Sequence, residues 1–248
     1  MQINASFDFA ADTPQAERNN YVNAVNTVVG YFDSLFTNNV TLNIKFALGE
    51  RLHSAVGTTI TYERMADINT PGSLLGASNT QYDIFDYATV RNRLLTMTDT
   101  NQPAAYATLP VVSPFGNDMF IFPVAEAKAL GFTSPLSLAG YDGVVGTISE
   151  EELAPGGATA DWTKAAPADG DQYYMIGSIE HELTEVMAGS PAMGRPSAIR
   201  RRSTRSWTCS GMRRRGCANS TPGIQRISRS ITASTFIITG TLIWRLAT

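Results

Sequence analysis

Apolar residues recur along residues 1–187 with two different periods. Val22, Val25, Val29, Phe32 and Phe36 are spaced by 3, 4, 3 and 4, which predicts one apolar face of an α-helix. Thr13 is placed to cap this helix, with Pro14 in its first position, and Asn38-Asn39 marks its end. Val40, Leu42, Ile44, Phe46 and Leu48 then alternate with Thr41, Asn43, Lys45 and Ala47. That is the period of a strand with one buried face, stopped by Gly49. Pro71-Gly72-Ser73 opens a loop. Residues 82–97 read as a helix with Phe85, Val90, Leu94 and Met97 inward. Residues 119–122 form a short strand that Pro123 confines to an edge or an end. Residues 125–130 form a brief helix stopped by Gly131. Residues 144–148 form another strand, 150–170 read as loop, and a last helix covers 172–187. No segment repeats. The mixture predicts one α+β domain, a mixed sheet with helices packed on it.

Composition agrees with a globular domain: 43% of the 248 residues are hydrophobic and 17% charged. No apolar run is long enough to span a membrane. Met1-Gln2-Ile3-Asn4 does not begin a basic segment leading into an apolar one, so no signal peptide is expected. The net charge of −3 gives the average surface no attraction for nucleic acid. Cys209 and Cys217 are too few for a disulfide framework.

These averages conceal a break after Met187. Residues 1–187 hold all 22 Asp and Glu and 8 of the 19 Lys and Arg, a net −14. The remaining 61 residues hold 11 Arg, no Lys and no acid, a net +11. A basic arm for nucleic acid or a solvated tail would bring Lys alongside Arg, and few Trp, Cys or Ile. Arg without Lys is instead what out-of-frame, GC-rich codons encode. Permissible codons for residues 207–214, read from the third base and beginning in Ser206, give Met-Asp-Leu-Phe-Arg-Tyr-Ala-Ala. Continuing to Ile231 yields acids, aromatics and turn residues in ordinary proportion. The expectation is a domain over 1–187 and an out-of-frame, non-native, Arg/Ser-rich disordered tail over 188–248.

Chemistry concentrates on the last helix. His181 and Glu185 lie four residues apart, so they differ by about 40° and project from one face. Imidazole nitrogen and carboxylate oxygen both bind Zn²⁺ at about 2.0–2.2 Å. Glu182, displaced round the helix, is placed to take a proton from water. This is the helix of H-E-x-x-H metalloproteases with the second His replaced by Glu. Met175, Ile176, Ile179, Leu183 and Val186 form the core-facing side, and Gly177 is expected to let a strand approach. In the ordinary case a face bearing Glu180, His181, Glu182 and Glu185 is simply solvated. What raises this one is context: the chain has only two His, and one stands in this pattern. His53, the other, reads as exposed, with metal binding a minor option.

The segment Glu180-His181-Glu182-Leu183-Thr184-Glu185-Val186-Met187 resembles the active helix of a family of bacterial exported metalloproteases, which carry His-Glu-x-x-Glu-Val-(Leu/Met)-Gly-Arg. Residues 40–50, Leu75-Gly76-Ala77-Ser78, Ala107-Thr108-Leu109-Pro110, residues 125–131 and Asp142-Gly143-Val144-Val145-Gly146 are similar as well. The hidden frame also looks like the family's continuation. The resemblance implies a zincin-like fold with a C-terminal metal-binding helix, one Zn²⁺ held by His181 and Glu185, and Glu182 as general base. It implies export and the hydrolysis of a peptide or protein substrate by a monomer, with no nucleic acid and no membrane span. The chain departs from the pattern after Met187, where Ala188-Gly189 replaces Gly-Arg. A third protein ligand would come from downstream, yet residues 188–248 contain no His, Asp or Glu. The polypeptide as written is therefore expected to be inactive. The alternative is a non-catalytic surface or binding module on a zincin-like scaffold.

Overall fold

The computed structural model describes residues 1–68, 74–97, 106–114, 119–163 and 171–188, together with the backbone of Trp207–Ser210. Among these residues the chain runs β1 (Gln2–Phe9), α1 (Gln15–Leu35), β2 (Thr41–Leu48), β3 (Glu50–Val56), β4 (Thr59–Arg64), β5 (Leu74–Thr80) and β6 (Tyr82–Asp86). It continues with α2 (Tyr87–Thr96), β7 (Met119–Pro123), α3 (Val124–Ala129), β8 (Gly143–Thr147), α4 (Glu150–Leu153), β9 (Thr159–Asp161), β10 (Gln172–Tyr174), α5 (Met175–Ala188) and β11 (Trp207–Ser210). The fold is α+β, as the periods predict.

The main sheet is mixed. β1 pairs parallel with β2, and β2 parallel with β8. β8 pairs antiparallel with β5, and β5 antiparallel with β11. The β3–β4 hairpin joins through the pairing of Glu50 with Thr147. At the corner between β2 and β3, Gly49 takes φ +76°, and a Cβ there would lie 3.1 Å from that of Ala10, so a left-handed residue without a side chain turns the chain.

Both faces of the sheet are covered, and β8 shows how. Val145 lies in the core formed with α1 and α5, whereas Val144 packs with Leu52 and Leu138 in a second cluster. Its two glycines mark close approaches. A Cβ on Gly143 would stand 2.2 Å from Val186 Cγ1, and one on Gly146 would stand 2.6 Å from the Glu50 carbonyl oxygen. β2 contributes Leu42, Ile44, Phe46 and Leu48 to the helix-side core, each fully buried, as the alternation predicts. A third cluster unites α2, α3 and the β6–β7 ribbon around Val90, Leu94, Phe122 and Leu130.

Several expectations are corrected. α1 is rotated from its predicted face. Glu17, Tyr21, Ala24, Val25, Val28 and Phe32 are buried, while Val22 and Val29 are only half-buried on its flank. Tyr21 sets this orientation, since its hydroxyl reaches the Ala47 carbonyl and Thr147 Oγ1, both at 3.3 Å. Thr13 caps nothing. Pro14 occupies the cap position, and Thr13 Oγ1 is buried without a partner among the described residues. Residues 82–97 divide into β6 and a shorter α2, because the Asp86 side chain accepts from Thr89 N at 2.6 Å and starts the helix there. The stretch 150–170 holds α4, a 3₁₀ turn (Ala154–Gly156) and β9. Ser149 and Glu152 form a reciprocal capping box that nucleates α4. The last helix begins at Met175, after β10, rather than at Gln172.

The predicted tail, 188–248, falls mostly outside the described residues. Within it Ala188 closes α5, and Trp207–Ser210 pairs with β5, a strand that no apolar period announces.

Candidate functional site

α5 carries its side chains in two sets. Met175, Ile176, Ile179, Leu183, Val186 and Met187 are buried against β5, β8, α1 and α3, as the sequence pattern predicts. His181 lies on the outer side, with half of its side chain exposed. Its Nε2 stands 3.2 Å from Glu185 Oε1, and the Glu185 side chain is 20% exposed. The helix therefore brings together the imidazole and carboxylate that the sequence singled out.

Glu182 is where the structure adds most. It is 1% exposed, and neither carboxylate oxygen has a hydrogen-bond partner among the described residues. It packs on β5 in space left by a missing side chain, since a Cβ on Gly76 would lie 2.6 Å from Glu182 Cγ and 2.9 Å from its Oε1. Burial pushes the carboxyl up to about 8, and the nearby Glu185 carboxylate adds to this. Ser78, whose hydroxyl donates to Glu185 Oε2 at 2.7 Å, offsets it in part.

Ser78 and Gly76 are thus the residues that sequence reasoning missed; the resemblance covers Leu75-Gly76-Ala77-Ser78 but gives neither residue a role. They stand two apart on β5 and meet the same helix, as alternate residues of a strand do. Nothing in the spacing of α5 could have pointed to a strand 107 residues upstream. Gly177 lets a strand residue approach, though one of the short β10 rather than of the main sheet. A Cβ there would stand 2.6 Å from the Tyr174 ring, so Gly177 accommodates the residue just before the helix, and the close approaches to the sheet are made over Gly76 and Gly143. His53 is far from this helix in role. It lies on β3, 63% exposed, with Nδ1 3.3 Å from Glu63 Oε2.

The arrangement can be tested for its fit to zinc. Two donors, each about 2.1 Å from one tetrahedral ion, stand roughly 3.4 Å apart, close to the 3.2 Å between His181 Nε2 and Glu185 Oε1. Beside them is a buried carboxyl with no partner, a group that costs stability and persists most readily where chemistry uses it. These features fit a metal site in part. Among the described residues no group of three or more His, Cys, Asp and Glu is arranged to hold an ion, so the third ligand of an open catalytic site is not among them. Nor, among the same residues, is any helix long and apolar enough to cross a membrane. No family model, curated protein or solved structure matches the chain.

Proposed function

We propose that the chain derives from a zinc-dependent peptide hydrolase of the zincin type, and that its reading frame is lost after Met187. The observation that carries the reading is the trio on α5, with His181 and Glu185 side by side at a half-open surface and Glu182 buried without a partner. His181 and Glu185 would hold the zinc, which when bound would supply a Lewis acid for the scissile carbonyl. Glu182 takes the proton of the attacking water and delivers it to the leaving amine. A carboxyl held near 8 is matched to this work, since proton transfer is most efficient when the pKa lies near the operating pH. Export, a peptide or protein substrate and a monomeric state belong to the same reading, which involves no nucleic acid.

The test needs the frame restored after codon 187. In that protein Glu182→Gln should abolish peptide hydrolysis and retain zinc; hydrolysis at the parent rate in the variant would sink the assignment. In the chain as written, without a third ligand among the described residues, hydrolysis is absent on this reading. DNA around codon 187 showing one uninterrupted frame would remove the argument for the break.

One observation favours a second reading. Ser78 and His181 already satisfy both oxygens of Glu185, and a helix face so closed on itself suits a non-catalytic surface or binding module. Zinc content after purification of the frame-restored protein separates the two, because the module should carry none.

A further inference from the structure

β1 is an edge of the main sheet. Among the described residues it pairs with β2 alone. Gln2 N and Ala10 N donate to the Val40 and Leu48 carbonyls at either end of β2. Alternation therefore turns the backbone groups of Asn4, Ser6 and Asp8 towards β2. Those of Ile3, Ala5, Phe7 and Phe9 lie on the open side. Such a row is a template for another strand. Charged side chains have taken three of its groups. Asp33, reaching from α1, accepts from Ile3 N at 3.0 Å. Lys45, reaching across from β2, donates to the Phe7 carbonyl at 3.2 Å. Asp8 accepts from Phe9 N at 3.1 Å, and its other oxygen lies 3.5 Å from Lys45 Nζ.

The sequence of β1 is suited to pairing with itself. In an antiparallel pair about a two-fold axis, the longest registers that use the open side centre on Ala5 or on Ser6. The first sets Phe7 against Ile3, Ser6 against Asn4 and Asp8 against Gln2. The second sets Phe9 against Ile3, Phe7 against Ala5 and Asp8 against Asn4. In both, apolar residues meet apolar ones and no like charges are opposed. Both also need Ile3 N as a donor and the Phe7 carbonyl as an acceptor, the two groups that Asp33 and Lys45 occupy. We propose that Asp33 and Lys45 guard the β1 edge, and that releasing it joins two copies of the chain through β1 into one continuous sheet. Nothing in this device depends on zinc.

The test is sedimentation velocity of the full chain over a concentration series in about 0.5 M salt, which screens attraction between its opposite charge blocks. The parent should be monomeric. Asp33→Ala combined with Lys45→Met, which keeps the aliphatic stem, should tighten self-association about 10- to 100-fold and give a dimer. Asp33→Asn retains an acceptor for Ile3 N and should stay with the parent. Ala5→Pro removes an outward N–H that β2 does not use, so adding it to the double variant should restore the monomer. Far-UV circular dichroism reports whether each variant keeps its fold. Where Asp33→Ala does not, Lys45→Met alone still frees the Phe7 carbonyl and should associate more tightly than the parent. A folded double variant that stays monomeric overturns the guards. So does association that Ala5→Pro leaves intact, or a parent dimer that Ala5→Pro disperses.

Discussion

Glu182 dominates the electrostatics of α5 at the scale of single residues. Its native pKa of about 8 lies well above the ordinary 4.5, so between these values the folded chain keeps a proton that the unfolded chain has released. The stability associated with that proton is fully present below about pH 4.5 and is lost as pH rises through about 8. With a chelator present, urea midpoints of the parent should fall between about pH 5 and about pH 9 relative to those of Glu182→Gln, in which the side chain cannot ionise. The gap should reach on the order of a few kcal/mol at the alkaline end. Parallel pH profiles for the two proteins would contradict this environment for Glu182. The comparison must be made as a difference, because Glu126, also pushed up to about 8 by burial, is common to both.

Glycines make the contrast at the scale of elements. Gly76 in β5 has no room for a side chain, because the Glu182 that would have to move is itself buried. Gly30 in α1 has nothing within 4 Å of where a Cβ would stand. Gly76→Ala should therefore destabilise by about 1–3 kcal/mol, and Gly30→Ala should stabilise by about 0.5–1 kcal/mol; denaturant unfolding distinguishes the signs. The same elements show what the sequence makes legible. β2 is read correctly because one of its faces meets the core and the other is less covered, so alternation survives. β5 is invisible to that reasoning because all seven of its residues are buried, and small side chains under a helix carry no period. β1 carries its own signal, the alternation of Ile3, Ala5, Phe7 and Phe9. The helix that the apolar spacing predicts over residues 82–97 is too long because that spacing runs on through Asp86, where the chain changes from strand to helix. His181 and Glu185 were legible because both stand on one helix turn. Their partner Ser78 was not, since only the closed sheet brings it near.

At the scale of the whole molecule, charge is divided along the chain, −14 over residues 1–187 and +11 over the rest. Opposite blocks of this size attract one another between copies as well as within one. The full chain should associate at low ionic strength and dissociate as salt shortens the screening length. Light scattering across a salt series checks this, and particle size indifferent to salt would count against it. The sheet carries a further consequence, for the order in which the chain is made. β8 lies between β2 and β5 but follows both in the sequence, and Thr147 is 99 residues beyond Leu48. On the ribosome, then, two finished strands wait with no central neighbour until residues 143–147 emerge. Such late closure favours slow folding and prolonged exposure of apolar strand faces to aggregation. During synthesis this nascent chain should depend on chaperones for most of its length, and that dependence should ease once β8 has slotted between its neighbours.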